Sequence, residues 1–84
     1  MNWQVIWVPG AEQDLAGVWL SAPDRDAVTA AAHQIDQRLQ TNPDQQGESR
    51  PQGRRILFEP PLGAIFTVRP RTRTVYVLSV WRFQ

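Results

Sequence analysis

Residues 54–83 read RRILFEPPLGAIFTVRPRTRTVYVLSVWRF, and the fold turns on how this run is punctuated. Arg54 to Glu59 supplies Ile56, Leu57 and Phe58. Ala64 to Arg69 supplies Ile65, Phe66 and Val68, and Thr74 to Phe83 runs through Val75, Tyr76, Val77, Leu78, Val80 and Trp81. β-Branched and aromatic residues at this density suit a pleated, half-buried surface, so each run is expected to be a strand. Pro60-Pro61 and Pro70-Arg71-Thr72-Arg73 are turns, because proline cannot continue a ladder and fixes the φ a turn needs. Turns this short join antiparallel neighbours. The last run is apolar at both parities, which predicts a central strand.

Upstream, Asp44 to Gly53 is rich in Gln, Gly, Ser, Pro and charge without periodicity, and reads as a connecting loop. Asn42-Pro43 stops a helix in which Val28, Ala31, Ala32, Ile35 and Leu39 form one apolar stripe, with Gln34, Asp36, Gln37, Arg38 and Gln40 toward water. Ser21 or Asp24 is expected to cap that helix, and Pro23 fits only its first turn. A shorter helix is expected from Ala11 to about Leu20, with Leu15, Val18 and Trp19 on its apolar side. Gly17 weakens it, which suggests close approach to a neighbour. Before it, Trp3, Val5 and Trp7 alternate within Asn2 to Val8, a largely buried strand that Pro9-Gly10 ends. The order β-α-α-β-β-β predicts an α+β domain spanning 1–84, with two N-terminal helices packed on one face of a small, mainly antiparallel sheet.

At 84 residues one compact core is the ceiling. There is no cysteine and one histidine, His33, so neither a disulfide framework nor a thiolate metal site is available, and no metal or cofactor is expected. The opening Met-Asn-Trp-Gln-Val-Ile-Trp has no basic n-region, and no apolar stretch approaches the roughly 20 residues of a membrane span, so a cytoplasmic protein with no membrane partner is expected. The net charge of +1 conceals an asymmetry. Before Ser49, seven acids face only Arg25 and Arg38. After it Arg50, Arg54, Arg55, Arg69, Arg71, Arg73 and Arg82 face only Glu59, and no residue is lysine. A basic half built from planar guanidinium forks suits an acidic partner, although codon usage alone can also favour arginine over lysine.

The order of elements, together with Trp7-Val8-Pro9-Gly10-Ala11, Val18-Trp19-Leu20, Asp24-Arg25-Asp26-Ala27-Val28, Ile35-Asp36-Gln37-Arg38-Leu39, Gly47-Glu48-Ser49-Arg50, Arg54-Arg55-Ile56-Leu57 and Pro61-Leu62-Gly63, resembles the RelE/ParE toxins and related plasmid-stabilisation proteins over nearly the whole chain. The resemblance implies the toxin of a bacterial type II toxin–antitoxin system. Its cognate antitoxin would wrap a segment over its groove, and its target would be messenger RNA on the ribosome or DNA gyrase. A ribonuclease needs cations for the phosphate and groups that move protons. The arginine that such enzymes carry early in the third strand falls at Gly63, and their C-terminal His or Tyr around Phe83 and Gln84. Glu48 lies near a glutamate some of them use, and Arg54 or Arg55 near their first basic residue. The departures leave open a second reading, a catalytically inactive binding module or regulatory partner.

The candidate catalytic residues are therefore Glu48, Arg54, Arg55 and Arg82, and the candidate target- or antitoxin-binding residues Arg50, Arg55, Arg69, Arg71, Arg73, Trp81 and Arg82. Each has a plainer alternative. Arg54 and Arg55 are adjacent on a strand and point to opposite faces, so only one can line a shared groove. Arg71 and Arg73 ring a turn that water alone could solvate, and a surface ion pair could hold Arg82. Trp3, Trp7 and Trp19 fit a core, leaving Trp81 as the tryptophan for partner contact. Tyr76 suits packing and His33 a boundary position.

Overall fold

The computed structural model describes residues 2–84. The elements in chain order are β1 (Gln4–Trp7), α1 (Pro9–Ser21), α2 (Arg25–Thr41), β2 (Glu48–Arg50), β3 (Arg54–Glu59), β4 (Leu62–Arg69) and β5 (Thr74–Arg82). Single 3-10 turns cover Pro43–Gln45, Pro51–Gly53 and Pro70–Thr72. The five strands form one sheet in the order β1-β5-β4-β3-β2. β2, β3, β4 and β5 are antiparallel neighbours, and β1 joins β5 in parallel. The fold is the α+β arrangement that the sequence predicts.

Several expectations shift in detail. Pro9-Gly10 opens α1 rather than merely ending β1: proline at the first helical position loses no intrahelical bond, because that N–H has no partner there in any case. The segment between α2 and β3 is more than a loop, since Glu48–Arg50 pairs with Arg54–Ile56 as an edge strand. Three exposed polar residues leave no periodic trace in sequence. β5 lies between β1 and β4, inside the sheet but one place from its middle, which β4 occupies. Nothing lies within 4 Å of the point where a Gly17 Cβ would sit, so no neighbouring element requires glycine there.

Both helices cover one sheet face. Leu57, Ala64 and Val80 form a buried row across β3, β4 and β5, Phe66 faces Val77, and Val75 follows. Ala11 of α1 and Val28, Ala31, Ile35 and Leu39 of α2 close over them, and all are buried. Each fully buried Leu, Ile, Val or Phe contributes about 1.5–3 kcal/mol. Polar groups stitch the layers together. Asp14 on α1 accepts the Val80 N–H at 3.1 Å, beyond the point where β1 stops pairing with β5. The Trp7 indole donates to Asp36 at 3.2 Å, so Trp7 packs beside the core with its N–H satisfied. Trp3 also packs there, under the Arg73 guanidinium at 4.7 Å from the ring centre. Trp19 departs from the expected core role and is 38% exposed.

Candidate functional site: the open face of the sheet

Strand alternation sends every second residue of the sheet away from the helices, and strand register assembles them into rows. One row runs Arg50, Arg54, Thr67 and Tyr76 across β2, β3, β4 and β5. The next is Glu48, Ile56, Ile65 and Ser79, and the third Phe58, Gly63 and Trp81. A register shift at Ile65/Phe66 leaves Leu78 unmatched between Val77 and Ser79, which brings Ser79 onto this face. The face therefore has a cationic end and an aromatic end. Along β3, Arg54 and Phe58 are four residue steps apart, about 13 Å at strand rise.

At the aromatic end Phe58 is 48% exposed and Phe83 43%. Their ring centres lie 4.9 Å apart at 65°, and Phe58 meets Trp81 edge-on at 6.2 Å and 87°. Trp81 rests on Gly63: a Cβ there would fall 2.7 Å from the indole ring. The position at which the resemblance would put an arginine is thus covered by an aromatic plate. Phe58 had no part among the sequence candidates. Its outward parity could have revealed it, because Leu57 beside it is the core residue.

At the cationic end Arg54, Arg69 and Arg71 are exposed, and among the described residues none has a carboxylate within ion-pair distance. Arg69 donates to the Thr67 hydroxyl at 3.1 Å, which in turn donates to the Gly53 carbonyl at 3.2 Å. Arg50 pairs with Glu48 at 3.3 Å, so this glutamate is held by a neighbouring cation at the sheet edge. Of the proton-transferring side chains, this face carries Glu48 and Tyr76, while His33 is exposed on α2. Among the described residues no three His, Asp or Glu side chains converge as metal ligands.

The structure divides the remaining candidates. Arg55 points to the helix side and donates to the carbonyls of Gln46 at 2.9 Å and Gly47 at 3.1 Å and to the Ser49 hydroxyl at 2.9 Å. It fastens the segment before β3 to the sheet. Arg82 also points to the helix side and grips Asp24 through two bonds, 2.7 and 3.0 Å. That hydrogen bond holds the Asp24 carboxyl below its ordinary value and raises the Arg82 guanidinium. Asp24 occupies the cap position of α2, yet its side chain makes no cap bond because Arg82 has it. Arg73 closes the β4–β5 turn in the left-handed conformation beside Trp3.

A second exposed apolar surface lies between the helices. Leu15, Ala16, Trp19 and Leu20 of α1 face Val28 and Ala32 of α2 around a groove of about 500 Å³. The Trp19 indole donates to Thr29 at 3.1 Å. Arg25 lies over its ring and caps the α1 carbonyls of Trp19 and Leu20, each at 3.0 Å.

No protein-family model and no curated protein matches the chain in sequence. Its backbone is similar to solved structures of toxin–antitoxin chains. A chain of the RelBE2 toxin–antitoxin complex of Mycobacterium tuberculosis superposes with a TM-score of 0.80 at 19% identity, over 99% of this chain and 93% of that one. A chain of the chromosomal ParDE toxin–antitoxin system of P. aeruginosa superposes with a TM-score of 0.68 at 20% identity, over 98% and 97%. The fold is therefore that of the RelE/ParE toxins, in agreement with the order of elements read from sequence.

Proposed function

We propose that this chain is the toxin of a type II toxin–antitoxin pair, acting in the cytoplasm through the open face of its sheet and neutralised by a cognate antitoxin. The observation that carries the reading is a sheet face left uncovered by the helices, cationic at one end and aromatic at the other, on a RelE/ParE toxin fold. The antitoxin would lay an amphipathic segment into the apolar groove between α1 and α2, where Trp19 and Leu20 are 38% and 65% exposed. No helix among the described residues is long and apolar enough to cross a membrane.

For the target, the geometry favours a toxin that binds and blocks, as a gyrase poison does, over one that cleaves messenger RNA. Trp81 covers the Gly63 position, Arg82 is committed to Asp24, and Glu48 to Arg50. Inducing the gene alone should arrest growth, and co-expressing its antitoxin should relieve the arrest. Primer extension separates the targets: intact messages with broken or relaxed DNA support the blocking mode, whereas codon-linked cuts in messages would assign ribonuclease action. Unimpaired growth at confirmed soluble expression would favour the second reading, an inactive binding module, to which the same three committed residues also point.

A further inference from the structure

The turn between β4 and β5 shapes a cavity that neither the fold nor the toxin reading requires. It has a volume of about 470 Å³ and is lined by Val68, Arg69, Pro70, Arg71, Thr72 and Tyr76. The Pro70–Thr72 turn of 3-10 helix carries Arg71 and curls back toward the strand bearing Tyr76. Arg69 is not a loose surface chain: its anchor, Thr67, is only 6% exposed and is itself tied to the Gly53 carbonyl. A neutral hydroxyl fixes the guanidinium without cancelling its charge. Arg54 lies opposite Thr67 on the neighbouring strand, so like charges gather on one patch, and among the described residues no carboxylate lies within ion-pair distance of Arg54, Arg69 or Arg71. Without a ligand such grouping costs mutual repulsion, and an anion relieves it.

We propose that this cavity is a phosphate-binding site, with Arg69 and Arg71 as the principal ligands and Arg54 at its edge. A phosphate group offers more acceptor oxygens than a carboxylate and can satisfy several guanidinium forks at once. Two sources share this chemistry, a free phosphate monoester and the backbone of a nucleic acid strand. Six residue steps of β4 lead from Arg69 to Gly63, the seat of Trp81, about 20 Å at strand rise, so a strand of several nucleotides could hold a phosphate here while a base reaches Trp81 or Phe58. The proposal rests on this geometry and not on toxicity, so it stands or falls apart from the toxin reading.

The test is titration of the purified chain at low salt with inorganic phosphate, with a short single-stranded DNA lacking a terminal phosphate, and with a glutamate-rich peptide. Saturable binding of phosphate or of the DNA is expected, and R69A and R71A should each weaken it about tenfold. Binding of phosphate alone identifies a monoester site. Binding of the DNA, with a log-log salt slope that falls by about one for each arginine removed, identifies a backbone site. Arg71 lies in an exposed turn, so R71A keeps the test sound even if R69A perturbs folding. Unchanged affinity in R69A and R71A with wild-type melting, absence of binding to both phosphate probes, or preference for the acidic peptide would overturn the proposal.

Discussion

The indole of Trp81 lies directly over Gly63, its cross-strand partner, so close that even a methyl group on Gly63 would press into the ring. Glycine and tryptophan here form one unit: the missing side chain is the seat of the aromatic plate. Gly63→Ala must displace the ring from Phe58, at a cost of about 1–3 kcal/mol. In a W81A background the same substitution should cost much less. Thermal melts of the four proteins of this cycle measure the coupling. Equal losses in both backgrounds would mean that the ring does not rest on Gly63.

Arg54 and Arg55 are neighbours in sequence and should behave as opposites. Arg55 holds two carbonyls and a hydroxyl of the segment that leads into β2. R55A should lower stability by about 1–2 kcal/mol, discounted because the side chain is partly exposed. Arg54 is exposed on the open face, and R54A should change stability by less than about 0.5 kcal/mol. If the open face engages the target, R54A should weaken toxicity at unchanged melting temperature. Growth assays beside calorimetry separate the two arginines.

That pair also shows where sequence stops being informative. Period-two alternation tells that the two arginines face opposite sides, because the pleat is a local property of the chain. It could not tell that the inward one finds three acceptors, since Gln46, Gly47 and Ser49 reach it only once β2 adds to the sheet edge. The stripe of α2 was legible because burial repeats along one element, and all but Ala32 of its expected residues are buried. Trp19 was misleading: it shares the apolar side of α1, but with α2 docked that side opens into a groove. The Asp24–Arg82 pair spans 58 positions and leaves no local signal.

The pairing of Asp24 with Arg82 gives stability a pH dependence of known sign. The folded carboxyl titrates below its ordinary value of 3.8, so the pair contributes fully above that pH and fades as pH falls through the folded value. The raised guanidinium stays charged throughout this range. D24N should therefore melt below wild type at pH 7, and the gap should close in acid below about pH 4. Melting curves across pH 2–8 for wild type, D24N and R82A check this. A gap that persists at the acid end would exclude the ion pair as its source.

Gly17 lies within α1 with free space where a Cβ would be. Alanine there removes backbone freedom from the unfolded chain and clashes with nothing. G17A should raise stability by about 1 kcal/mol, read as a higher denaturant midpoint at unchanged slope. A lower midpoint would mean that a partner approaches the helix at this point.

Leu20 and Phe58 lie on different surfaces, one on α1 beside the inter-helix groove and the other on the open sheet face. Each is substantially exposed, at 65% and 48%, so Leu20→Ser and Phe58→Ser should each change stability by less than about 1 kcal/mol. Their functional effects should divide. With the antitoxin in the groove and the target on the sheet, L20S should leave toxicity intact while weakening rescue by the antitoxin, because the apolar contact is lost only in the complex. F58S should weaken toxicity, since a ring supporting Trp81 is removed from the target face. Growth assays with and without antitoxin, together with the affinity of the purified pair, read both effects. If L20S abolished toxicity and F58S only blocked rescue, the two surfaces would exchange roles, with the helices engaging the target and the sheet covered by the antitoxin.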